Sequence, residues 1–164
     1  ILHQITPILG LPMQPDFALT MLFIIIILND NFKITMVSGT LMGIFTAMTT
    51  KFPGGQLPNV VDKIFTALIV FLFIALIKKS NILGRLSVEK RNNILIAIVL
   101  PLGTLVSGIL FLGTAKIIVG LPASFSILFL TVVVPSIALN TVIGLVLYRI
   151  VEKSLRRASY SIRG

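Results

Sequence analysis

The chain has 164 residues, of which 56% are hydrophobic and only 12% are charged, and its mean hydropathy is +1.07. A soluble domain is about 25% charged, and so few charges would leave large apolar patches in water. The composition therefore excludes an ordinary soluble domain and indicates an all-α, polytopic membrane protein. The net charge of +9 is interpreted as a signal of membrane topology rather than of nucleic-acid binding.

The predicted transmembrane spans follow one another closely along the chain. A bilayer core needs roughly 20 apolar residues per helix. Residues 1–9 are interpreted as the remnant of a truncated first helix. Complete spans are predicted at about residues 15–31, 34–50, 60–77, 94–119 and 124–151. With the first helix restored, we expect a single six-helix transmembrane domain and no soluble domain.

Prolines and glycines inside the spans predict how the helices bend and pack. Pro101 and Pro135 lie within the last two spans. Each removes a backbone donor, so each is a candidate bend or a joint between a loop and a helix. Gly39 and Gly43 form a GxxxG pattern, which is typical of close helix packing.

Basic residues are concentrated in two connections, and cytoplasmic loops carry the excess of Lys and Arg. The two groups are Lys78, Lys79, Arg85, Lys90 and Arg91, then Arg149, Lys153, Arg156, Arg157 and Arg163. An even number of crossings separates them, so both termini and the basic tail 152–164 are predicted to be cytoplasmic. The outer connections are then 11–16, 51–59 and 120–123. The two basic groups have two possible roles beyond topology, namely contact with lipid headgroups and contact with a partner protein.

The segment 51–63, on the predicted outer side, concentrates the features of a binding site. Two prolines stiffen it, two adjacent glycines let backbone approach a ligand, and two amide side chains can donate and accept hydrogen bonds. These residues are Pro53, Pro58, Gly54, Gly55, Gln56 and Asn59.

Ionisable residues at the end of this segment need partners. Asn59 and Asp62 have the spacing of a helix cap and its first-turn acid, so capping is open beside ligand binding. Lys63 would lie in the first turn of the span 60–77, where its charge opposes the helix dipole. A charge within a span costs on the order of 2.5–3.5 kcal/mol and is usually paired or functional. Asp62 and Lys63 either pair with each other or one of them faces a ligand. Because adjacent helix positions point about 100° apart, their direct contact is less natural than contact with groups on other helices.

Two further polar residues carry open roles. Asp16 either stabilises the N-terminus of its own helix or meets Lys63 or an ammonium group. Asn140 lies deep in the last span, and its amide needs another helix, water or substrate as a partner.

Known catalytic and channel motifs are absent from the sequence. It contains no GxxxxGK[ST] loop, GxSxG, HExxH, voltage-sensor arginine array or TVGYG filter. The chain is therefore predicted not to be an enzyme, with no catalytic residue, metal site or cofactor and no nucleic-acid partner.

The outer segment resembles the signature region of the tryptophan-specific substrate-binding components of energy-coupling factor transporters, the TrpP type. The resemblance rests on Phe52-Pro53-Gly54-Gly55-Gln56-Leu57-Pro58-Asn59 followed by Asp62-Lys63. Supporting matches are Pro15-Asp16, Ser107-Gly108, Val119-Gly120-Leu121-Pro122 and Leu139-Asn140-Thr141.

This resemblance implies a six-helix S component in a bacterial cell membrane. Such a protein captures L-tryptophan at its outer face and associates with the transmembrane coupling protein EcfT and two ABC ATPase subunits, which hydrolyse ATP. The family's AxxxA pattern in the first helix is absent here, which is interpreted as truncation of that helix.

Tryptophan needs a slot for the indole, a partner for the ammonium and donors for the carboxylate. The ammonium is assigned to Asp62, and the carboxylate to Lys63 or to the amides of the glycine pair. The amide side chains orient the substrate or bind the indole N–H, and Phe52 is the nearest aromatic wall. The predicted binding set is Phe52, Gly54, Gly55, Gln56, Asn59, Asp62, Lys63 and Asn140.

Three alternatives stay open. The S component scaffold does not fix the ligand, which leaves another aromatic compound or a vitamin. A stand-alone channel or secondary carrier would move substrate without ATPases. A membrane scaffold would bind no small molecule.

Overall fold

The computed structural model describes residues 16–80, 83–84 and 86–161, which form five helical segments and no strand. The segments are α1 (Phe17–Leu28), α2 (Phe32–Thr49), α3 (Gln56–Lys79), α4 (Val88–Ile118) and α5, which comprises Phe125–Leu128, the π-helical turn Phe129–Val133 and Val134–Ser161. Four of them, α2 to α5, are long and apolar enough to cross a membrane. The all-helical membrane class is thus confirmed. The first helix expected at residues 1–9 lies outside the described ranges, so the six-helix count stays a prediction.

α1 is shorter than the span predicted at residues 15–31. Its 12 residues begin after the N-cap Asp16 and end before the C-cap Asn29, and they rise only about 18 Å. A bilayer core is about 30 Å thick. Leu22 and Phe23 are fully buried, and α1 contacts all four other helices. α1 is therefore the central, enclosed helix of the described bundle.

α1 and α3 run parallel, because ion pairs join them at both ends. Asp16 pairs with Lys63, and Asp30 pairs with Lys78. We call the two ends of the bundle the Asp16 end and the Asp30 end. α2 and α4 run in the opposite direction, and α5 returns from the Asp16 end to the Asp30 end.

Helices α3, α4 and α5 extend beyond the predicted spans, because polar residues flanking the apolar runs are helical too. α4 begins at Val88 rather than at residue 94, and the Ser87 hydroxyl accepts a hydrogen bond from the Lys90 backbone. Such a side-chain oxygen satisfies one of the free N–H groups of a first turn. α3 begins at Gln56 rather than at residue 60.

α2 and α3 pack closely through the GxxxG pattern. A Cβ atom added at Gly39 would lie 2.7 Å from the Ala67 Cβ, and one added at Gly43 would lie 3.1 Å from the Val60 Cα. Hydrogen at these two positions lets the backbones approach. The prediction that Gly39 and Gly43 pack a helix is confirmed.

The two predicted proline bends differ. Pro101 lies within α4, which continues as a helix on both sides. Pro135 lies two residues after the end of the π-helical turn Phe129–Val133. Because proline has no N–H to donate to the preceding turn, a widened turn before it is one way to accommodate it. Gly108 of α4 makes room for this turn, since an added Cβ would lie 2.5 Å from a methyl group of Val133.

Gly39→Ala is expected to destabilise the protein, because its new methyl group overlaps Ala67. Overpacking of this kind costs about 1–3 kcal/mol, which thermal unfolding in detergent would measure as a lower midpoint. Gly113→Ala is the matched control, because an added Cβ there meets nothing within 4 Å. Its stability should be unchanged or raised by about 0.5–1 kcal/mol. Equal midpoints for the two variants would contradict the close α2 to α3 packing.

Candidate functional site

Two carboxylates enclose one buried ammonium near the Asp16 end. The Lys63 Nζ lies 2.6 Å from the Asp62 Oδ2 and 2.9 Å from the Asp16 Oδ2. The side chains of Lys63 and Asp62 are 2% and 1% exposed, and that of Asp16 is 31% exposed. We call these three residues the charged cluster.

Asp62 is held by further donors on α3 and α4. The Thr66 hydroxyl donates to its Oδ1 at 2.9 Å, and the Ser107 hydroxyl donates to its Oδ2 at 2.9 Å. Together with Lys63, three donors therefore occupy the two oxygens of a carboxylate that solvent does not reach. Asp62 is closed to a ligand in this structure.

Lys63 makes both of the contacts left open for it, one with Asp62 and one with a group on another helix. The lysine side chain turns back to its neighbour's carboxylate while also meeting Asp16 on another helix. Its flexible four-carbon stem allows this although the two Cα–Cβ bonds diverge.

The start of α3 also differs from expectation. The N-cap position is Gly55, which makes no side-chain cap, and Pro58 lies in the first turn, where proline is tolerated because the N–H groups there are free in any case. Lys63 is thus in the second turn rather than the first. Asn59 is not the N-cap, since it lies inside the helix and its Nδ2 donates to the Gly55 carbonyl at 2.8 Å.

Asp16 connects three helices. Its Oδ1 accepts from the Leu19 backbone at 2.8 Å and caps α1, while its Oδ2 meets Lys63 of α3. Its own backbone N–H donates to the Asn140 Oδ1 of α5 at 2.9 Å. Both roles left open for Asp16, helix capping and contact with Lys63, are observed.

Asn140 is 1% exposed, and within the described part of the chain only one of its two amide atoms forms a hydrogen bond. The Oδ1 atom accepts from Asp16, whereas the Nδ2 atom is buried and has no hydrogen-bond partner there. The predicted role as a contact between helices is observed, and a free donor remains beside the charged cluster.

The charged cluster lies well inside the bundle. Lys63 is seven residues from the start of α3 and Ser107 is eleven residues from the end of α4. At 1.5 Å per residue these separations are roughly 10 and 16 Å. The cluster has two carboxylates and one ammonium, so its ionised form carries one excess negative charge.

The other ion pairs within the described part of the chain lie at the Asp30 end. Lys78 contacts Asp30, and Arg156 lies 2.5 Å from Glu89 and 3.2 Å from Glu152. Their acidic partners Asp30 and Glu89 are 69% and 52% exposed. The charged cluster differs from them because both members of one of its pairs, Lys63 and Asp62, are almost fully buried. Among the described residues, no group of three or more His, Cys, Asp or Glu is placed to hold a metal ion.

The loop between α2 and α3 is folded by its own hydrogen bonds. The Gly55 N–H donates to the Phe52 carbonyl at 2.9 Å, and the Phe52 N–H donates to the Thr50 hydroxyl at 3.3 Å. Gly54 has φ +67°, and a Cβ there would lie 2.6 Å from a methyl group of Val119. Glycine is needed at this position for both its backbone conformation and its close contact with the end of α4.

An aromatic pair lies beside this loop. The rings of Phe52 and Phe111 have centroids 5.3 Å apart and planes at 83°, an edge-to-face arrangement. Gln56 is exposed at the start of α3. The loop residues Phe52, Gly54 and Gly55 thus lie above the charged cluster, at the same end of the bundle.

Three partners escaped sequence reasoning. Thr66 lies one helical turn after Asp62, so an i,i+4 search would have found it. Ser107 entered through the Ser107-Gly108 match to the family and was given no hydrogen-bonding role, and Phe111 carried no signal of its own. Both lie on α4, and their positions depend on how that helix is rotated against α3.

Lys63→Met is expected to destabilise the protein by about 3–5 kcal/mol, because it leaves two carboxylates without their buried counter-charge. Lys78→Met removes the same charge from the pair with the exposed Asp30 and should cost only about 0–1 kcal/mol. Denaturant titration in detergent micelles measures both. Similar losses for the two variants would mean that Lys63 is not the electrostatic centre of the bundle.

The sequence profile of the family described as "Tryptophan transporter TrpP" matches residues 1–156. A Clostridium perfringens protein described as "Probable tryptophan transport protein" is 98% identical over 159 residues, covering 97% of this chain and 87% of that protein. Proteins with the same description from Clostridium acetobutylicum and Bacillus subtilis are 46% and 40% identical, covering 95% and 97% of this chain and 86% and 87% of their own lengths. No solved structure matches. The chain therefore belongs to the TrpP tryptophan transporter family.

Proposed function

We propose that this membrane protein captures L-tryptophan at the Asp16 end and is the S component of an energy-coupling factor transporter. In this proposal the Asp16 end faces the outside and both termini lie in the cytoplasm. EcfT couples substrate release to two ABC ATPase subunits, and the chain itself performs no chemistry.

The observation that carries the proposal is the charged cluster. Ionisable groups within a membrane span are expensive and usually mark a substrate or ion pathway. This cluster has one negative charge more than its ammonium balances. An amino-acid ligand brings an ammonium group that can meet the excess, which gives the arrangement a role beyond holding helices together.

The loop above the cluster has the properties of an indole slot. Phe52 and Phe111 form an edge-to-face aromatic pair. A bound indole can pack against these rings in the same edge-to-face arrangement. Gly54 and Gly55 keep the loop thin, and the exposed Gln56 offers an amide to the indole N–H. Asn59 supports the loop from beneath through Gly55.

Orientation and energy supply rest on the sequence and the family. The connection and tail at the Asp30 end hold most basic residues, which favours a cytoplasmic position for that end. The chain has no nucleotide-binding loop, so accumulation against a gradient requires partners or an ion gradient.

Uptake into proteoliposomes tests this reading. With the chain alone, radiolabelled tryptophan should bind but not accumulate. Accumulation is expected only when EcfT, both ATPases and ATP are present. Accumulation by the chain alone under an imposed proton or sodium gradient would identify a secondary carrier. Competition by thiamine or indole, with tryptophan ineffective, would identify a different ligand.

Phe52→Ala is expected to weaken tryptophan binding, because it removes one wall of the proposed indole slot. Aromatic packing of about 0.5–1.5 kcal/mol corresponds to a rise of roughly 2- to 12-fold in Kd, measurable by isothermal titration. Phe32→Ala is the control, because Phe32 forms a similar edge-to-face pair with Phe71, with centroids 5.5 Å apart, at the Asp30 end. If both variants bind like the wild type, the slot lies elsewhere.

A further inference from the structure

We propose that Asp16, rather than Asp62, binds the α-ammonium of the substrate, and that the Asn140 amide donates to its α-carboxylate. This inference rests on the proposed function, namely capture of an amino acid at the Asp16 end. It adds Asp16 to the binding set and gives Asp62 a different task.

Exposure and hydrogen bonding separate the two carboxylates. Asp62 is 1% exposed and accepts from Lys63, Thr66 and Ser107. Because solvent does not reach Asp62, a ligand ammonium could contact it only if the side chains packed around it moved. Asp16 is 31% exposed, and among the described residues its carboxylate accepts from the Leu19 backbone and Lys63 alone. Each carboxylate oxygen has more than one acceptor site, so Asp16 can take a further donor without losing Lys63.

Asn140 supplies the hydrogen-bond donor for the ligand carboxylate. Its Nδ2 atom is a buried donor without a partner in the described structure, and its Oδ1 atom is 2.9 Å from the Asp16 backbone nitrogen. Both atoms belong to one planar amide, so the free donor lies next to Asp16. A buried donor without an acceptor costs free energy, and a ligand carboxylate would recover that cost. An α-amino acid carries its ammonium and carboxylate on one carbon, which suits two protein groups placed side by side.

Asp62 is then a positioning residue. Its carboxylate holds the Lys63 ammonium from one side, with Thr66 and Ser107 fixing its own orientation. Lys63 in turn holds the Asp16 carboxylate at 2.9 Å. Removing the Asp62 charge should therefore affect every ligand of the site through Asp16 and the packing around it.

Three probes that share the indole ring separate these roles: L-tryptophan, tryptamine, which lacks the carboxylate, and indole-3-propionate, which lacks the ammonium. Isothermal titration on the detergent-purified full chain gives each Kd. Asp16→Asn should weaken tryptophan and tryptamine about tenfold or more and leave indole-3-propionate within twofold. Asn140→Leu should weaken tryptophan and indole-3-propionate and spare tryptamine. Asp62→Asn should weaken all three by a similar factor.

Matched controls come from the Asp30 end. Asp30→Asn removes a carboxylate that also pairs with a lysine, and Asn92→Leu removes a half-buried amide whose Oδ1 atom is buried and has no partner in the described part of the chain. Neither should change any Kd. Thermal unfolding shows whether each variant is folded. If Asp16→Asn does not fold, Asp16→Glu replaces it, because it keeps the charge but displaces it. The same loss of affinity for tryptophan and tryptamine is then expected.

The possible results distinguish failure of this inference from failure of the proposed function. Equal loss of all three probes in the Asp16 variant, or loss confined to the two amines in Asp62→Asn, overturns the inference while wild-type tryptophan binding upholds the proposed function. If the wild type binds none of the probes, the proposed function fails and this assignment fails with it.

Discussion

A single buried ammonium organises this bundle. Lys63 of α3 meets Asp16 of α1, and Asp16 binds Asn140 of α5 through its backbone. Asp62 connects the same ammonium to Ser107 of α4. Because the hydrocarbon core of a bilayer supplies no counter-charge, the helices have to bring their own polar groups to one point. This requirement favours the positions of α1, α3, α4 and α5 near the Asp16 end.

The small residues of α2 complete the enclosure from behind. A Cβ at Gly43 would lie 3.4 Å from the Lys63 Cβ, and one at Gly39 would lie 3.2 Å from the Lys63 carbonyl. The close approach of α2 therefore covers the back of the lysine and leaves no room for solvent. Exclusion of water strengthens the attraction between the charges that remain. The apolar packing of Gly39 and Gly43 against α3 thus strengthens the attraction between Lys63 and its carboxylate partners.

The sequence predicts the class of this protein better than its internal contacts. Composition identifies the membrane class, and the GxxxG of Gly39 and Gly43 identifies a packed face, because both signals are local. Which carboxylates pair with Lys63 was harder to predict, because its flexible stem can reach both its own neighbour and another helix at once. The contact between Ser107 and Asp62 spans 45 positions. It depends on the rotation of α4, which no pattern within α4 specifies.

The two ion pairs between α1 and α3 are spaced almost identically on the two helices. Asp16 and Asp30 are 14 positions apart, and Lys63 and Lys78 are 15 positions apart. For parallel helices of equal rise, matched spacing means that sliding one past the other separates both pairs together. The two pairs therefore oppose sliding of α1 along α3, and the buried pair at Lys63 provides most of that resistance, because Asp30 is exposed to solvent.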